Sequence, residues 1–552
     1  MIQAKIISSA NKPFIDDKFE DFKKLERLSA LGGETVYFAL LISNDEMKRP
    51  KSRVLGDVTI TGRLKDYVTL RDVRNIAVEK ACEPGKTDEW YLRTTPGIYP
   101  DLLTPLRYRG RVVATGGALR TVWVEVNIPE GFKGDDTLKI TLDFPDTGDK
   151  LTSSVDIHVV GIDLPKQKTH FTQWFYCDCL ANYYEVEPWS EEHWRIIENF
   201  MRLAKKRGRD TVYTPIFTPA LNTFRGFERT TTQLIGVTVE NGRYSFDFSK
   251  VDRWVDMCDR VGIDYLEISH LYDQHQAENS AIVYATVDGK YQRIFDWETK
   301  ALDERYSSFL RQMLTEFVAH MKARGDDKRC FYHISDEPSL KEIEHYTRVK
   351  DVVADILDGY VIMDAISDYE FYKTGAINTP VPTTQHAMSF IEGGVPNLWV
   401  YYACDQVVNY SNSYLSMPLH RTRSIGMQLF KYDVKGFLHW GYNYYNNRGS
   451  GDGINPFVDP SGEYWVSAGD TYAVYPGEGG EPMESIRMSA LEEAMQDIRA
   501  MQLCESLYSH DEVVAAREEA LGDKITFERC THTPDEMLAL RECINAMIEK
   551  KI

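Results

Sequence analysis

No Cys-x-x-Cys pair occurs in the 552-residue chain, although nine cysteines are scattered from Cys82 to Cys543. An odd count without paired spacing argues against a disulfide framework and against a zinc ribbon. Cys177 and Cys179 lie closest together, and as alternate residues of one strand they read as two reduced thiols on a shared face. Positive charge is also scarce: 64 Lys and Arg face 84 Asp and Glu, for a formal net charge of −20. That sign argues against nucleic acid or an anionic membrane as partner. No run of about 18 apolar residues is present. The amino terminus, Met1-Ile-Gln-Ala-Lys5, does not lead from a basic stretch into an apolar one with a cleavage site. The expectation is an unexported, cytoplasmic protein with no membrane partner. There is no His-Glu-x-x-His, and His270 with His275 has no metal-ligand spacing, so no metal and no cofactor are expected. Gly449-Ser-Gly-Asp-Gly453 lacks the Lys-Ser/Thr ending of a phosphate loop and reads as a flexible loop instead.

What the chain does have is 43% hydrophobic residues, enough for a large core, and 32 Tyr with 10 Trp. Tyr and Trp combine an apolar face with a polar tip, which suits sugar rings as well as cores. Up to residue 165 the pattern is short alternating runs, such as Val122-Trp-Val-Glu-Val126 and Leu138-Lys-Ile-Thr-Leu142, punctuated by Gly, Asp, Asn and Pro. Period-2 runs at this density indicate an antiparallel β-sandwich over residues 1–165. After the Leu164-Pro-Lys-Gln-Lys168 linker the rhythm becomes strand then amphipathic helix. Strands are expected at 170–176, 211–217, 265–272, 330–335, 361–367, 379–384, 398–403 and 436–443. The sixth is the weakest, because Pro380 and Pro382 sit inside it. Strand followed by helix about eight times requires parallel pairing through crossovers, so residues 166–507 are assigned to a (β/α)8 TIM barrel. A helical segment, 508–552, completes the multidomain β and α/β architecture.

In such a barrel the active site forms at the carboxyl ends of the strands. The sharpest feature there is Cys330-Phe-Tyr-His-Ile-Ser-Asp336-Glu337-Pro338-Ser339. An apolar strand runs into two carboxylates, Pro338 stops it, and Ser339 is placed to cap the next helix. Other Asp-Glu pairs, at Asp88, Asp303, Asp511 and Asp535, fall in loops or helix starts, so placement rather than identity selects this one. Two carboxylates at a sugar-sized site suggest glycoside hydrolysis. Adjacent residues cannot readily flank a scissile bond at the usual ~5–5.5 Å nucleophile spacing. They can serve a substrate that brings its own nucleophile, a 2-acetamido carbonyl oxygen. Asp336 would then hold the amide N–H while Glu337 acts as acid and base.

The sequence resembles glycoside hydrolase family 123. The resemblance rests on His333-Ile-Ser-Asp-Glu-Pro338, on Phe175-Tyr-Cys-Asp-Cys-Leu-Ala181 with Glu191-Glu-His-Trp194, on Thr214-Pro-Ile-Phe-Thr-Pro219, and on Gly436-Phe-Leu-His-Trp-Gly-Tyr-Asn443 with Tyr475-Pro-Gly477 and Ser485-Ile-Arg487. It implies a retaining β-N-acetylgalactosaminidase with an amino-terminal sandwich, a catalytic barrel, and the polarising Asp and acid/base Glu at Asp336 and Glu337. Candidate substrate-binding residues from the strand ends are Trp174, Asp178, His270, His333, Trp399, Tyr401, Trp440 and Tyr444. The expected partner is a glycan, with assembly into a homo-oligomer left open. Two alternatives remain at this point: a barrel glycosidase with a separate nucleophile such as Glu267, acting on a hexoside without the acetamide, and a carbohydrate-binding protein without catalysis.

Overall fold

A computed structural model of the chain describes residues 1–45, 53–274 and 276–552; His275 lies outside them. The amino-terminal part contains two five-stranded sheets. One is antiparallel throughout, in the spatial order Ile2–Ser8, Thr35–Asn44, Arg120–Asn127, Val68–Val78, Gly97–Pro105. The other runs Arg27–Gly32, Asp149–Asp163, Gly134–Phe144, Arg53–Thr61, Val112–Thr115. Alternation determines which side chains face in. In Gly134–Phe144, Leu138, Ile140, Leu142 and Phe144 are buried while Lys139 is exposed. They share one core with Phe38, Leu40, Ile42, Val122, Val124 and Val126 of the first sheet. One pairing departs from the antiparallel expectation: Arg27–Gly32 runs parallel to Asp149–Asp163. Most of both sheets lies between these strands in the chain, so no hairpin dictates their relative sense.

The barrel strands are β1 (His170–Gln173), β2 (Thr211–Thr214), β3 (Tyr265–Ile268), β4 (Cys330–Tyr332), β5 (Val361–Ala365), β6 (Thr379–Val381), β7 (Trp399–Tyr401) and β8 (Gly436–His439). All are parallel and neighbour one another in chain order, with β8 returning to β1. Between β6 and β7 the ring is completed by a single bridge, Thr383 to Tyr401. Pro380 and Pro382 offer no N–H, which explains why this pairing is the thinnest. Each strand starts within one residue of its expected position but stops earlier, and the rest of each apolar run forms the mouth. Two hairpins inserted after β2 and β3, Gly236–Glu240 with Arg243–Asp247 and Val283–Val287 with Lys290–Phe295, join in a four-stranded sheet that the periodicity did not announce. Tyr244, Phe246 and Phe295 pack on Phe309 of the helix Glu304–Arg324. Cys177 and Cys179 lie on a short helix, Cys177–Tyr183, not on a strand, because β1 ends four residues earlier.

The helix Ile486–Leu507 binds barrel to sheets. Ile486 and Ala490 pack with Leu41 and Trp123 of the first sheet. Leu491, Ala494, Met495 and Ile498 share a core with Val400 and Phe437 of the barrel and Leu31 and Val160 of the second sheet. Gly426 permits the close approach: a Cβ there would lie 2.5 Å from the Ala494 carbonyl oxygen. The terminal segment forms two helices, His510–Leu521 and Pro534–Glu549. The second returns to the amino-terminal strands, where Glu542 accepts from the Ser29 N–H at 2.6 Å and Asn545 donates to the Ser29 hydroxyl at 2.8 Å.

Arg207, at the end of the helix Glu191–Lys206, is fully buried where sheet, barrel and terminal helix meet. Its guanidinium reaches Glu125 at 2.6 Å, Glu484 at 2.6 Å and Glu492 at 2.7 Å, and also donates to the Tyr37 hydroxyl. Removing one member of a buried ionic cluster strands the rest. Arg207→Ala is expected to cost about 3–5 kcal/mol in denaturant unfolding. Arg207→Lys should recover little, since one ammonium cannot present the same fork to three carboxylates.

Candidate active site at the mouth of the barrel

Inward-facing residues fill the barrel in layers. At the amino-terminal end the rings of His170 and Trp399 stack 5.1 Å apart, and Tyr265 and Phe331 stack at 5.2 Å. Trp399, the first residue of β7, therefore lies at the closed bottom and not at a substrate site. Gly436 beside it leaves the room its ring needs, since a Cβ there would come within 2.0 Å of the indole. Above this plug Glu267 of β3 is fully buried near the barrel axis. It accepts from the Thr172 hydroxyl at 2.5 Å, the Trp174 indole N–H at 2.7 Å and His333 Nε2 at 2.8 Å. A carboxylate held by three donors and shut from solvent is unsuited to attack an anomeric carbon.

The other ring nitrogen of His333, Nδ1, faces Asp364 Oδ1 of β5 at 3.2 Å. Both imidazole nitrogens thus point at carboxylate oxygens, which requires an N–H on each and so the cationic ring. Burial opposes that charge, but the hydrogen bonds to Asp364 and Glu267 outweigh it and push His333 up to about 9. His270 stacks on it at 4.4 Å, and burial together with the His333 charge holds His270 well below the usual imidazole range. Asp364 has further donors: the Tyr346 hydroxyl at 2.6 Å and the backbone N–H groups of Ile334 at 3.0 Å and Ser335 at 3.3 Å. Four donors converge on its two oxygens and favour the ionised form, against the burial that raises this carboxyl above the usual carboxylate range. This side chain takes both backbone N–H groups leading out of β4, whose carbonyls at His333 and Ile334 accept from Leu271 and Tyr272.

The next two residues are Asp336, half-buried, and Glu337, exposed. Glu337 has φ of +44°, a left-handed conformation costly for a residue with a Cβ and doubly so before Pro338. Strain of this kind persists where the surroundings over-determine it. Ser339 completes the turn with a reciprocal capping box to Glu342. The Tyr401 hydroxyl donates to Glu337 Oε1. Burial, with the Glu337 carboxylate beside it, holds the Asp336 carboxyl well above the usual carboxylate range, against the pull of His333. The pair opens into a cavity of about 580 Å³ lined also by Arg225, Gln274, Gln276 and Glu278. That volume falls in the range of small-ligand sites. Arg225 reaches Glu278 at 2.6 Å and Asp273 at 3.7 Å across the rim.

The family model described as the catalytic domain of glycoside hydrolase 123 matches residues 174–504, more than half of the chain and all of the mouth of the barrel. The chain belongs to glycoside hydrolase family 123. A solved structure of a family 123 glycoside hydrolase from Clostridium perfringens, described for glycolipid glycan hydrolysis, aligns at a TM-score of 0.76 with 15% identity, over 100% of this chain and 98% of that one, a likeness of fold. The β-glucuronidase of Parabacteroides merdae aligns at a TM-score of 0.32 with 10% identity over 89% of this chain and 51% of its own, too distant to argue from. No curated protein sequence matches.

In this glycosidase the residues singled out from sequence separate into groups. Asp336, Glu337 and Tyr401 meet at the cavity. Trp174, His270 and His333 lie beneath it as a buried floor. Asp178 does not reach the cavity: it forms a buried two-pronged pair with Arg229 at 2.7 and 2.8 Å, so it is a fastening for its helix and not a ligand for sugar hydroxyls. Tyr444 is fully buried too, its hydroxyl engaged by Ser450 at 2.9 Å and Asn222 O at 3.2 Å, which excludes it as a stacking platform. Trp440 packs on it at 5.3 Å and donates to Asp470 at 3.0 Å. Gln274, Gln276 and Glu278 escaped notice because they belong to a loop without periodicity. Asp364 carried a visible signal, a lone carboxylate inside Val361-Ile-Met-Asp-Ala365, where burial demands partners. His270, His333 and Asp364 place donor atoms within 4.8 Å of one another. With both His333 nitrogens committed to carboxylates, this is an ion-pair chain and not a set of free metal ligands.

The two aromatics of β7 should behave oppositely. Trp399→Phe is expected to leave KM within about twofold while costing about 1–3 kcal/mol of stability. Tyr401→Phe should lower kcat about tenfold with little loss of stability, the hydrogen bond to Glu337 being at the reacting end. Steady-state kinetics with urea unfolding of both variants checks the assignment of bottom and mouth.

Proposed function

We propose that this glycosidase is a retaining, exo-acting enzyme that releases terminal β-linked N-acetylgalactosamine, or a related 2-acetamido sugar, by substrate-assisted catalysis through an oxazoline. The observation that carries the reading is the adjacency of Asp336 and Glu337 at one cavity while Glu267 is sequestered in the barrel. Neighbouring carboxylates on one loop cannot act from opposite faces of a sugar ring, so the nucleophile comes from the substrate. The N-acetylgalactosamine preference and the glycan setting are supported by the family resemblance and by the glycolipid glycan work on the Clostridium relative.

In the first step Glu337 gives its proton to the glycosidic oxygen as the bond from that oxygen to C1 breaks. The acetamide carbonyl oxygen closes on C1, and Asp336 accepts the amide N–H, whose nitrogen gains positive charge. In the second step Glu337 takes a proton from water, the hydroxyl adds to C1, and the oxazoline ring opens. Two inversions at C1 give retention. The pair must hold one proton at the start, on Glu337. The raised affinity of Asp336 keeps a proton on the pair, and an incoming amide N–H, which pairs more strongly with the ionised carboxylate, favours the form with the proton on Glu337.

Glu337→Gln is expected to reduce turnover of substrates with poor leaving groups by about 10²–10⁴. Asp336→Asn should slow oxazoline formation by a similar factor. The half-buried Asp336 carboxyl, its folded-state pKa raised, contributes stability at low pH that is lost as pH rises through that pKa, so Asp336→Asn should raise Tm at pH 7. Aryl β-glycosides of GalNAc, GlcNAc, Gal and Glc, assayed with a thiazoline inhibitor, test the class. Equal turnover of Gal or Glc substrates, or no thiazoline inhibition, would sink the proposal.

A further inference from the structure

Two variants outside the cavity bear on how the pair is kept in its working state. His333 sits three residues before Asp336 on the β4 exit, buried, with Glu267 on one side and Asp364 on the other. We infer that Glu267, His333 and Asp364 form a positioning chain that fastens the Ile334–Ser335 backbone and sets a positive charge near Asp336, loosening its hold on the proton that the two carboxylates share. The inference rests on the proposed roles of Asp336 and Glu337.

Geometry supports each half of it. The mechanical half is the grip of Asp364 on two consecutive backbone N–H groups, immediately before the catalytic residues. Those N–H groups would otherwise be orphaned in a buried loop. The electrostatic half follows from the imidazole's two carboxylate partners, which only the cation satisfies with N–H on both sides. The groups facing His333 are Glu267 of β3, Asp364 of β5, His270 stacked on its ring, Asp336 on its own loop, and the phenols of Tyr213 and Tyr346 at the edge. Among them His333 is the cation. Its field favours the ionised form of Asp336, opposing the burial and the neighbouring Glu337 charge that hold that carboxyl well above the usual range.

The same wiring limits the working range. A neutral imidazole keeps one N–H, so deprotonation turns one of the two hydrogen bonds into a contact between lone pairs. With His333 raised to about 9 from 6.5, its contribution to stability is complete below the lower value and is lost as pH rises through the upper one.

The test compares Glu267→Gln and Asp364→Asn with Asp336→Asn, Glu337→Gln and the unmodified enzyme on an aryl 2-acetamido-β-galactoside, across pH 5–10. Both chain variants are expected to lose about 10–100-fold in kcat, the usual effect of losing an orienting partner, with KM within about threefold. In Glu267→Gln the alkaline limb of kcat/KM should move to lower pH by about one unit, because His333 loses a counter-charge. Tyr346→Phe should leave that limb in place. If the chain variants lose activity only in step with Tm and keep the unmodified pH profile, the chain is scaffolding and the inference is overturned. Full activity of Asp336→Asn and Glu337→Gln would instead overturn the proposed function. Should a chain variant not fold, the unmodified enzyme still decides: a Tm that does not fall between pH 7 and 10 contradicts a buried His333 cation.

Discussion

Asp364 holds the site together. One carboxylate, on the fifth barrel strand, accepts from two backbone N–H groups, a tyrosine hydroxyl and a histidine ring. The strand it holds is three residues long, and beyond it the chain keeps two backbone hydrogen bonds, from the Leu271 and Tyr272 N–H groups to the His333 and Ile334 carbonyls, while Asp364 takes up its own N–H groups. Without such an anchor, a left-handed residue before proline would relax. Glu337 keeps its unfavourable φ because the residues before it are fastened by Asp364 and those after it by the Ser339 capping box. The cost of local strain is met by hydrogen bonds that water cannot compete for.

A barrel mouth built this way separates the work of its charged groups by depth. Glu267, His333 and Asp364 are closed off and fully satisfied, so they are rigid and chemically quiet. Asp336 and Glu337, three and four residues beyond His333, are half-buried and exposed respectively, and open to the cavity. Below, the aromatic plug of His170, Tyr265, Phe331 and Trp399 excludes water from the axis and strengthens every electrostatic interaction above it. Farther out, Arg207 applies the same rule between modules: with Arg71 and Lys206 it pairs three carboxylates from three parts of the chain where sheet, barrel and the helix Ile486–Leu507 join. The result is a catalytic loop whose foundation reaches into the amino-terminal sheets.

The barrel was legible because its code is local. Apolar runs followed by amphipathic helices announce parallel strands, and a run ending in Asp336-Glu337-Pro338 announces a mouth. The two prolines in β6 even foretold the weakest seam. Trp399, Asp178 and Tyr444 were misplaced for one reason: each question turned on direction rather than composition. A strand position near its start and one near its end read alike in sequence, yet Trp399 and Tyr401, two residues apart, lie at the bottom and against Glu337 at the mouth. Asp178 looked like a hydroxyl ligand until Arg229, far along the chain, was seen to occupy both its oxygens.

The sequence by itself determined the strand-helix alternation, the position of the acidic pair at the end of the fourth barrel strand and the family to which the chain belongs, because periodicity and short motifs are properties of neighbouring residues. Tertiary structure alone decided that Glu267 is sealed in the barrel, that His333 is held between two carboxylates, and that the last helix, Pro534–Glu549, returns to the amino-terminal strands. Those outcomes depend on which distant groups meet in a space without water. There a charge must be paired, and the partner comes from another strand or another module, at a separation no local pattern records.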